Sequence, residues 1–206
     1  MTLDYTKQAQ WPNGFGQQQS PVALHDAKSV GALNLTVTKP YQMTQELDDG
    51  TTIKLLGSGA VTIGEHSYHA VQAHFHSPAE HSSDLAAGFE VHFVHQTALG
   101  QLCVVAVLLP LGAANATVQQ VIDRFAHDQH SVAIDLTPLW PKHGQGFHYL
   151  GSLTTPPLTE GVEWYVLQNH DLTLSAEQAA WFRQEFGANN RDLQPLAKRV
   201  VERFDF

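Results

Sequence analysis

Residues 88–97 read Gly-Phe-Glu-Val-His-Phe-Val-His-Gln-Thr, and residues 102–109 read Leu-Cys-Val-Val-Ala-Val-Leu-Leu. Both runs are rich in β-branched and aromatic residues, and Ala98-Leu99-Gly100 between them has the composition of a turn. The pattern predicts two antiparallel strands joined as a hairpin. The chain is therefore expected to be built mainly of strands.

The same β-rich pattern recurs along the chain and is broken by Gly and Asp turns. It predicts further strands at residues 33–38, 51–56, 60–63, 68–76 and 162–167. Helical spacing of apolar residues predicts helices at 117–128 and 176–186, the second one between an N-cap at Ser175 and Gly187. Residues 1–30, which include the turn sequence Trp11-Pro12-Asn13-Gly14, have no periodicity and are expected to wrap irregularly over the core.

Length and composition suit one globular unit, with 206 residues of which 43% are hydrophobic and 15% charged. No repeat or linker divides the chain, so residues 1–206 are predicted to form a single, mainly β domain with peripheral helices. Eleven Lys and Arg against 20 Asp and Glu give a net charge of −9. This charge disfavours nucleic acid and anionic membrane surfaces as partners.

The cellular compartment of the protein can be inferred from features that the sequence lacks. No run approaches the ~20 apolar residues of a membrane-spanning helix, and residues 1–20 lack the features of a signal peptide. Cys103 is the single cysteine, so no intrachain disulfide can form. These features predict a cytoplasmic protein if Met1 is the natural start, and a periplasmic or secreted one if a leader has been removed.

Histidines are concentrated between positions 66 and 95. On a strand, Gln72, His74 and His76 project from one face, because successive side chains alternate. His92 follows Glu90 at the same spacing on the next predicted strand, so antiparallel pairing would bring three imidazoles together. Three neutral imidazoles with an open fourth position form a catalytic zinc site. Gln72 and Glu90 would then bond the second nitrogens of these histidines.

A second metal-binding pattern overlaps the first. His74, His76 and Glu80 have the His-x-His-x3-Glu spacing of cupin barrels, in which Glu80 would be a ligand of iron or manganese. Tyr68 occupies the position where cupins have glycine, and no downstream Pro-x-Gly-x2-His follows, so the three-histidine zinc site is favoured. The other histidines of the segment are expected to be ordinary core or surface residues: His66, His69, His81 and His95.

Several motifs, in chain order, resemble the α-class carbonic anhydrases of bacterial type. They are Gln19-Ser20-Pro21, Gln72 to His76, Glu80-His81, Glu90 to His95, Gly151 to Pro157 with Glu160 and Trp164, and Asn189, Arg191 and Gln194 to Leu196. The resemblance implies a twisted, largely antiparallel central sheet with zinc at the base of a conical cleft. It also implies reversible hydration of carbon dioxide by zinc-bound hydroxide, with weak esterase activity as a side reaction.

The resemblance further implies a role for individual residues. It assigns Zn²⁺ to His74, His76 and His92, with Gln72 and Glu90 as their partners. Glu80 would accept the hydroxyl proton of Thr154, so that the Thr154 oxygen accepts from the hydroxide and orients it. The apolar wall that holds carbon dioxide would consist of Val94, Val104, Leu153, Val162 and Trp164, with Thr155 on the polar side.

Two departures from the family pattern bear on function. Asn13 and Leu158 stand where many bacterial relatives have a disulfide, as expected in a reducing compartment. Thr51 stands at the position of the proton-shuttling histidine, which removes a relay that titrates near pH 7. His66 and His69 are the nearest alternative relays in the sequence.

The resemblance also implies a set of partners. These are carbon dioxide and bicarbonate, and inhibitory anions and sulfonamides. A homodimer is left open, because the sequence does not give the oligomeric state. The alternative function is a non-catalytic zinc or interaction module on the same fold.

Overall fold

The structure is a computed structural model, and it describes residues 3–13 and 16–206. Its framework is a sheet of ten strands: β1 (Lys28–Ala32), β2 (Leu35–Asp48), β3 (Ile53–Ile63), β4 (His66–His76), β5 (Ala87–Gln96), β6 (Leu102–Pro110), β7 (Gln129–Asp135), β8 (Gln145–Ser152), β9 (Glu160–Gln168) and β10 (Glu202–Asp205). The helices are α1 (Ala116–Arg124), α2 (Ala176–Phe186) and two short 3-10 helices at Tyr5–Gln10 and Thr137–Leu139.

The strand order across the sheet is β1-β10-β8-β9-β6-β5-β4-β3-β2-β7. Seven neighbouring pairs are antiparallel, and the pairs β1–β10 and β6–β9 are parallel. The predicted hairpin joins β5 to β6, with Val94 opposite Val104. The expected mainly β fold with a largely antiparallel sheet and few helices is confirmed.

Four strands lie where the sequence pattern predicts none, namely β1, β7, β8 and β10. All five residues of β1 are exposed. Because no face of this strand is buried, its sequence does not alternate between apolar and polar residues, and no strand was predicted there. Backbone hydrogen bonds fix β1, β10 and β8 as strands, through the parallel pairing of β1 with β10 and the antiparallel pairing of β10 with β8.

Other predicted bounds are shifted. The predicted strands 51–56 and 60–63 form one strand, β3, because Gly57 lets β2 pass close by instead of making a turn. A Cβ at Gly57 would lie 2.2 Å from the carbonyl oxygen of Gln42. Helix α1 ends at Arg124 instead of residue 128, since the backbone N–H of Ala126 donates to Glu46 and β7 begins at residue 129.

The N-terminal segment is partly regular. It contains the 3-10 helix Tyr5–Gln10, which Asp4 caps by accepting from the N–H of Thr6, and β1 begins at Lys28. Met1 and Gly14 lie outside the described residues. The expectation that residues 1–30 wrap irregularly over the core is therefore wrong for the 3-10 helix Tyr5–Gln10 and for the start of β1 at Lys28.

Two apolar clusters cover opposite faces of the sheet, and alternation along β5 shows the division. Val91 and Phe93 belong to the larger cluster, which also packs against α1 and α2. Val94 belongs to the smaller cluster, and His92, two residues away, projects from the same face. The candidate site thus lies on the face of the smaller cluster. Among the described residues, no helix is long and apolar enough to span a membrane.

Candidate metal centre

Three histidine rings converge where β4 and β5 lie side by side. His74 and His76 are two residues apart on β4, and His92 on β5 lies directly opposite His74. The ring centroids of His74 and His92 are 5.0 Å apart, and those of His76 and His92 are 4.4 Å apart. Nδ1 of His92 lies 3.3 Å from Nε2 of His74.

The donor set fits a tetrahedral metal ion. Two nitrogens at ~2.0–2.1 Å from zinc, separated by a tetrahedral angle, lie about 3.3 Å apart. The facing nitrogens of His74 and His92 have this separation. Nε2 of His76 is buried and has no hydrogen-bond partner among the described residues. An unpaired buried nitrogen is costly, so a metal at the point of convergence would satisfy it.

The outer nitrogen of each ring has a hydrogen-bond partner. Gln72 Oε1 lies 2.9 Å from Nδ1 of His74, and Glu90 Oε1 lies 2.7 Å from Nε2 of His92. Nδ1 of His76 lies 2.8 Å from the backbone carbonyl oxygen of Asn189. These bonds fix the orientation of the rings and turn one nitrogen of each toward the centre. Spacing in the sequence indicated Gln72 and Glu90 but not the carbonyl of Asn189.

Glu90 is the most heavily bonded carboxylate near the site. Its Oε1 accepts from His92 and also from Nδ1 of His81 at 2.7 Å, and its Oε2 accepts from the backbone N–H groups of Glu80 and His81. Burial opposes its ionisation, but charge interactions and hydrogen bonds with His81 and His92 hold the pKa of Glu90 well below its usual value.

His81 is thus part of the support of the site and not an ordinary core residue. Its Nε2 lies 2.7 Å from the hydroxyl of Tyr149, which donates to Ser20. The position of His81 directly after Glu80 is the sequence signal that could have identified it. His81, Glu90 and His92 also form a close group of potential ligand atoms, but these atoms are already bonded to one another.

Burial disfavours the charged form of two of the candidate ligands, His74 and His92. It lowers the pKa of His74 well below its usual value, and electrostatic repulsion between a protonated His74 and His76, His92 and Lys54 acts in the same direction. Burial also lowers the pKa of His92, and the electrostatic interaction with His76 lowers it further. Neutral imidazole is the form that binds metal ions, so the site is set for ligation near neutral pH.

Glu80 lies behind the triad. Its Oε1 accepts from the backbone N–H of Arg191 at 2.8 Å and lies 3.6 Å from the outer nitrogen of His76. The carboxylate therefore faces the outer nitrogens and not the point where the ligand nitrogens converge, which argues against Glu80 as a cupin-type ligand. Oε2 of Glu80 is buried without a hydrogen-bond partner, and no bond to Thr154 is present within the described part of the chain.

A loop between β8 and β9 carries Thr154 to the cleft. It is held to the N-terminal segment by Glu160, whose Oε1 accepts from the N–H groups of Gly16 and Gln18 and from the side chain of Gln19. Gln19 also donates to the carbonyl oxygen of Leu158. Hydrogen bonds thus tie together the two segments at which the sequence lacks a disulfide.

One side of the cleft is an apolar pocket of about 220 Å³ next to His74 and His92. Most of the residues expected in the substrate pocket line it, namely Val94, Val104, Leu153, Thr155 and Trp164, and so does the predicted orienting residue Thr154. Val162 does not, because it is fully buried within the smaller apolar cluster. Val71 and Leu102 complete the lining and were not among the expected residues.

The other side is polar and smaller, about 60 Å³, and His74, Gln72 and Thr155 border both sides. Thr51 lines it, but in a turn before β3 and not on a strand as expected. His66 and His69 are exposed near the opposite end of β4 and line neither side, so the structure does not place them as relays.

Together these features define a mainly β protein with a three-histidine centre at the base of a cleft that is apolar on one side and polar on the other. The family model for eukaryotic-type carbonic anhydrase matches residues 6–204. The chain therefore belongs to the carbonic anhydrase family of this α-class type. Membership implies an enzyme that hydrates carbon dioxide.

Relatives and solved structures agree with this assignment. A carbonic anhydrase of Pectobacterium atrosepticum is 35% identical over 195 residues, covering 90% of this chain and 80% of that protein. The α-carbonic anhydrase of Photobacterium profundum superimposes with a TM-score of 0.83 at 30% identity, covering 91% of this chain and 90% of that one. The Thermovibrio ammonificans enzyme in complex with sulfanilamide gives 0.81 at 32% identity, covering 91% and 87%.

Proposed function

We propose that this chain catalyses the reversible hydration of carbon dioxide to bicarbonate and a proton, with Zn²⁺ held by His74, His76 and His92. The observation that carries the proposal is the convergence of three ring nitrogens whose outer nitrogens are all hydrogen-bonded, with one inner nitrogen buried and unpaired. Zinc in such a set supplies a water-derived nucleophile near neutral pH, as is established for carbonic anhydrase.

The apolar pocket supplies the place for the substrate. Carbon dioxide has no net dipole, so a dry wall beside the centre holds it loosely and close to the nucleophile. Val94, Val104 and Trp164 are almost fully buried and form the inner part of the apolar pocket. Leu153 and Leu102 are more exposed and lie at its edge.

Thr154 and Glu80 orient the reacting group in this proposal. A threonine hydroxyl has one proton, so if Thr154 donates it to Glu80, its oxygen must accept from the nucleophile. Two observations support the pair: Thr154 lines the cleft, and Oε2 of Glu80 is a buried acceptor without a partner. The pair then discriminates against anions that have no proton to donate.

Thr51 cannot carry the product proton, because a hydroxyl does not titrate near pH 7. Its hydroxyl donates to Oδ1 of Asp49 at 2.9 Å, and so does its N–H. Within the described residues, the only histidines that line the two sides of the cleft are His74, His76 and His92 themselves. We therefore propose that buffer molecules accept the proton at the polar side.

Metal analysis combined with stopped-flow measurement of carbon dioxide hydration tests the function. The expected result is one zinc per chain and hydration that is lost with the metal and blocked by a sulfonamide such as sulfanilamide. Slow hydrolysis of an activated ester should be lost in parallel. Stoichiometric zinc without hydration would contradict the proposal and favour a non-catalytic zinc or interaction module.

A further inference from the structure

The polar side of the cleft contains a single ion pair. Among the described residues that line either side, Lys54 is the only Lys or Arg and Asp49 is the only carboxylate. Lys54 lies on β3 directly opposite His74 of β4. A positive charge therefore stands beside a candidate metal ligand, in a chain whose net charge is −9.

The ammonium of Lys54 retains hydrogen-bonding capacity. Its Nζ lies 3.1 Å from Oδ2 of Asp49, and the two side chains are 32% and 25% exposed. This is its only polar contact within residues 3–13 and 16–206, and an ammonium has three donors. Asp49, in contrast, is fully engaged, because its Oδ1 also accepts from Thr51 and from the N–H of Thr52.

We propose that Lys54 is a specificity-determining residue that attracts small monovalent anions, including bicarbonate, to the polar side of the cleft, and that Asp49 moderates this attraction. The inference deepens the proposed function and rests on it. Neutral carbon dioxide is not attracted by the charge of Lys54, whereas bicarbonate is repelled by the net charge of the chain and attracted locally by the ammonium. Lys54 thereby acts on the charged partner of the reaction.

Direct binding of thiocyanate to the zinc-loaded protein, measured by isothermal titration calorimetry, tests the inference without turnover. Lys54→Gln should weaken binding about threefold or more, as expected for a partly exposed charge. Asp49→Asn keeps an acceptor oxygen for the turn but removes the counterion, so it should strengthen binding. The effect of Lys54→Gln should shrink as ionic strength rises.

Lys39→Gln is the matched control, since Lys39 is exposed on β2 and lines neither side of the cleft. It should bind thiocyanate like the parent protein. Lys54→Arg keeps the charge and should restore most of the affinity, which separates a charge effect from damage to the fold. Zinc content and melting temperature are measured for every variant.

Equal affinity in the parent and Lys54→Gln would overturn the inference, and so would weakening by both Lys54→Gln and Asp49→Asn. As a second readout, the KM for bicarbonate in the dehydration direction should rise in Lys54→Gln. Normal hydration with affinity that does not depend on Lys54 would refute only the role of Lys54. Charge-dependent thiocyanate affinity without any hydration would refute only the proposed function.

Discussion

Nδ1 of His92 lies 3.3 Å from Nε2 of His74, although the two residues are 18 positions apart in the sequence. Antiparallel pairing of β4 and β5 places them opposite each other, and bonds to Glu90 and Gln72 turn their inner nitrogens to one point. Two strands and two hydrogen bonds are therefore enough to fix this distance.

Removal of one of these three histidine rings should abolish metal binding at the centre. His92→Ala leaves two imidazoles, and we expect zinc to fall from one per chain to near zero, with hydration activity lost. Metal content after dialysis measures the first effect and stopped-flow assay the second. His66→Ala, an exposed histidine on the same pair of strands, should keep its zinc. Full zinc occupancy with full activity in His92→Ala would exclude His92 from the site.

Thr154→Ala should separate orientation from metal binding. Zinc should stay bound, because the ligands are untouched, while turnover should fall on the order of 10²-fold if the hydroxyl acts like other preorganised hydrogen-bonding groups. Thr159→Ala in the same loop is the control, since Thr159 lines neither side of the cleft. Unchanged turnover in Thr154→Ala would show that the proposed pairing with Glu80 does not orient the nucleophile.

Thr51→His should raise turnover in dilute buffer. A proton that leaves a group of pKa ~7 directly to water, with recombination at ~10¹⁰ M⁻¹s⁻¹, is released at only on the order of 10³ s⁻¹. The ~10⁶ s⁻¹ known for carbonic anhydrase requires a relay or buffer. Parent turnover should therefore rise with imidazole-type buffer, and Thr51→His should show a weaker rise.

The control for this change is Thr62→His, which adds a histidine on β3 outside the cleft lining. It should behave like the parent in every buffer. High parent turnover in dilute buffer that Thr51→His leaves unaffected would mean that another group already carries the proton out.

Acid stability should depend on His95. This ring is fully buried, its Nε2 lies 2.7 Å from the hydroxyl of Tyr41, and burial lowers its pKa from 6.5 to about 4. The unfolded chain therefore binds a proton below pH 6.5 that the folded chain binds only near pH 4. Stability is lost as pH falls through this window, by about 2 kcal/mol at pH 5 from this group alone.

His95→Gln removes this titration, and its amide still offers a partner to Tyr41. Urea unfolding of the metal-free protein at pH 7 and pH 5 should show a smaller loss for the variant than for the parent. His66→Gln, at an exposed position, should show the parental loss. An identical loss in His95→Gln and the parent would assign the acid sensitivity to other groups.

The candidate ligands were predictable because period-two spacing on adjacent strands is a local property of the sequence. The depth at which the pocket residues are buried was not predictable. Spacing places Val162 and Trp164 on one face of β9, but only the packing shows that Val162 is covered and that Trp164 lines the pocket. The partner of His76 could not be predicted either. It is a backbone carbonyl 113 residues away, and any residue type at Asn189 would provide one.

Strand prediction failed for a similar reason. Residues 145–152 pair with β9 on one side and β10 on the other, so their conformation depends on neighbours distant in the chain. Thr51 was placed on a strand because Thr and Ile are common in strands. The carboxylate of Asp49 instead accepts from the N–H groups of Thr51 and Thr52 and holds them in a turn.

The three candidate ligands, Gln72 and Glu90 all lie within residues 72–92, whereas the carbonyl of Asn189 and the Thr154 loop come from the second half of the chain. During synthesis, the complete set of ligands therefore leaves the ribosome long before the segments that cover it, since chains are made from the N-terminus. The centre can therefore be enclosed only once β8, β9 and the segment around Asn189 have been made.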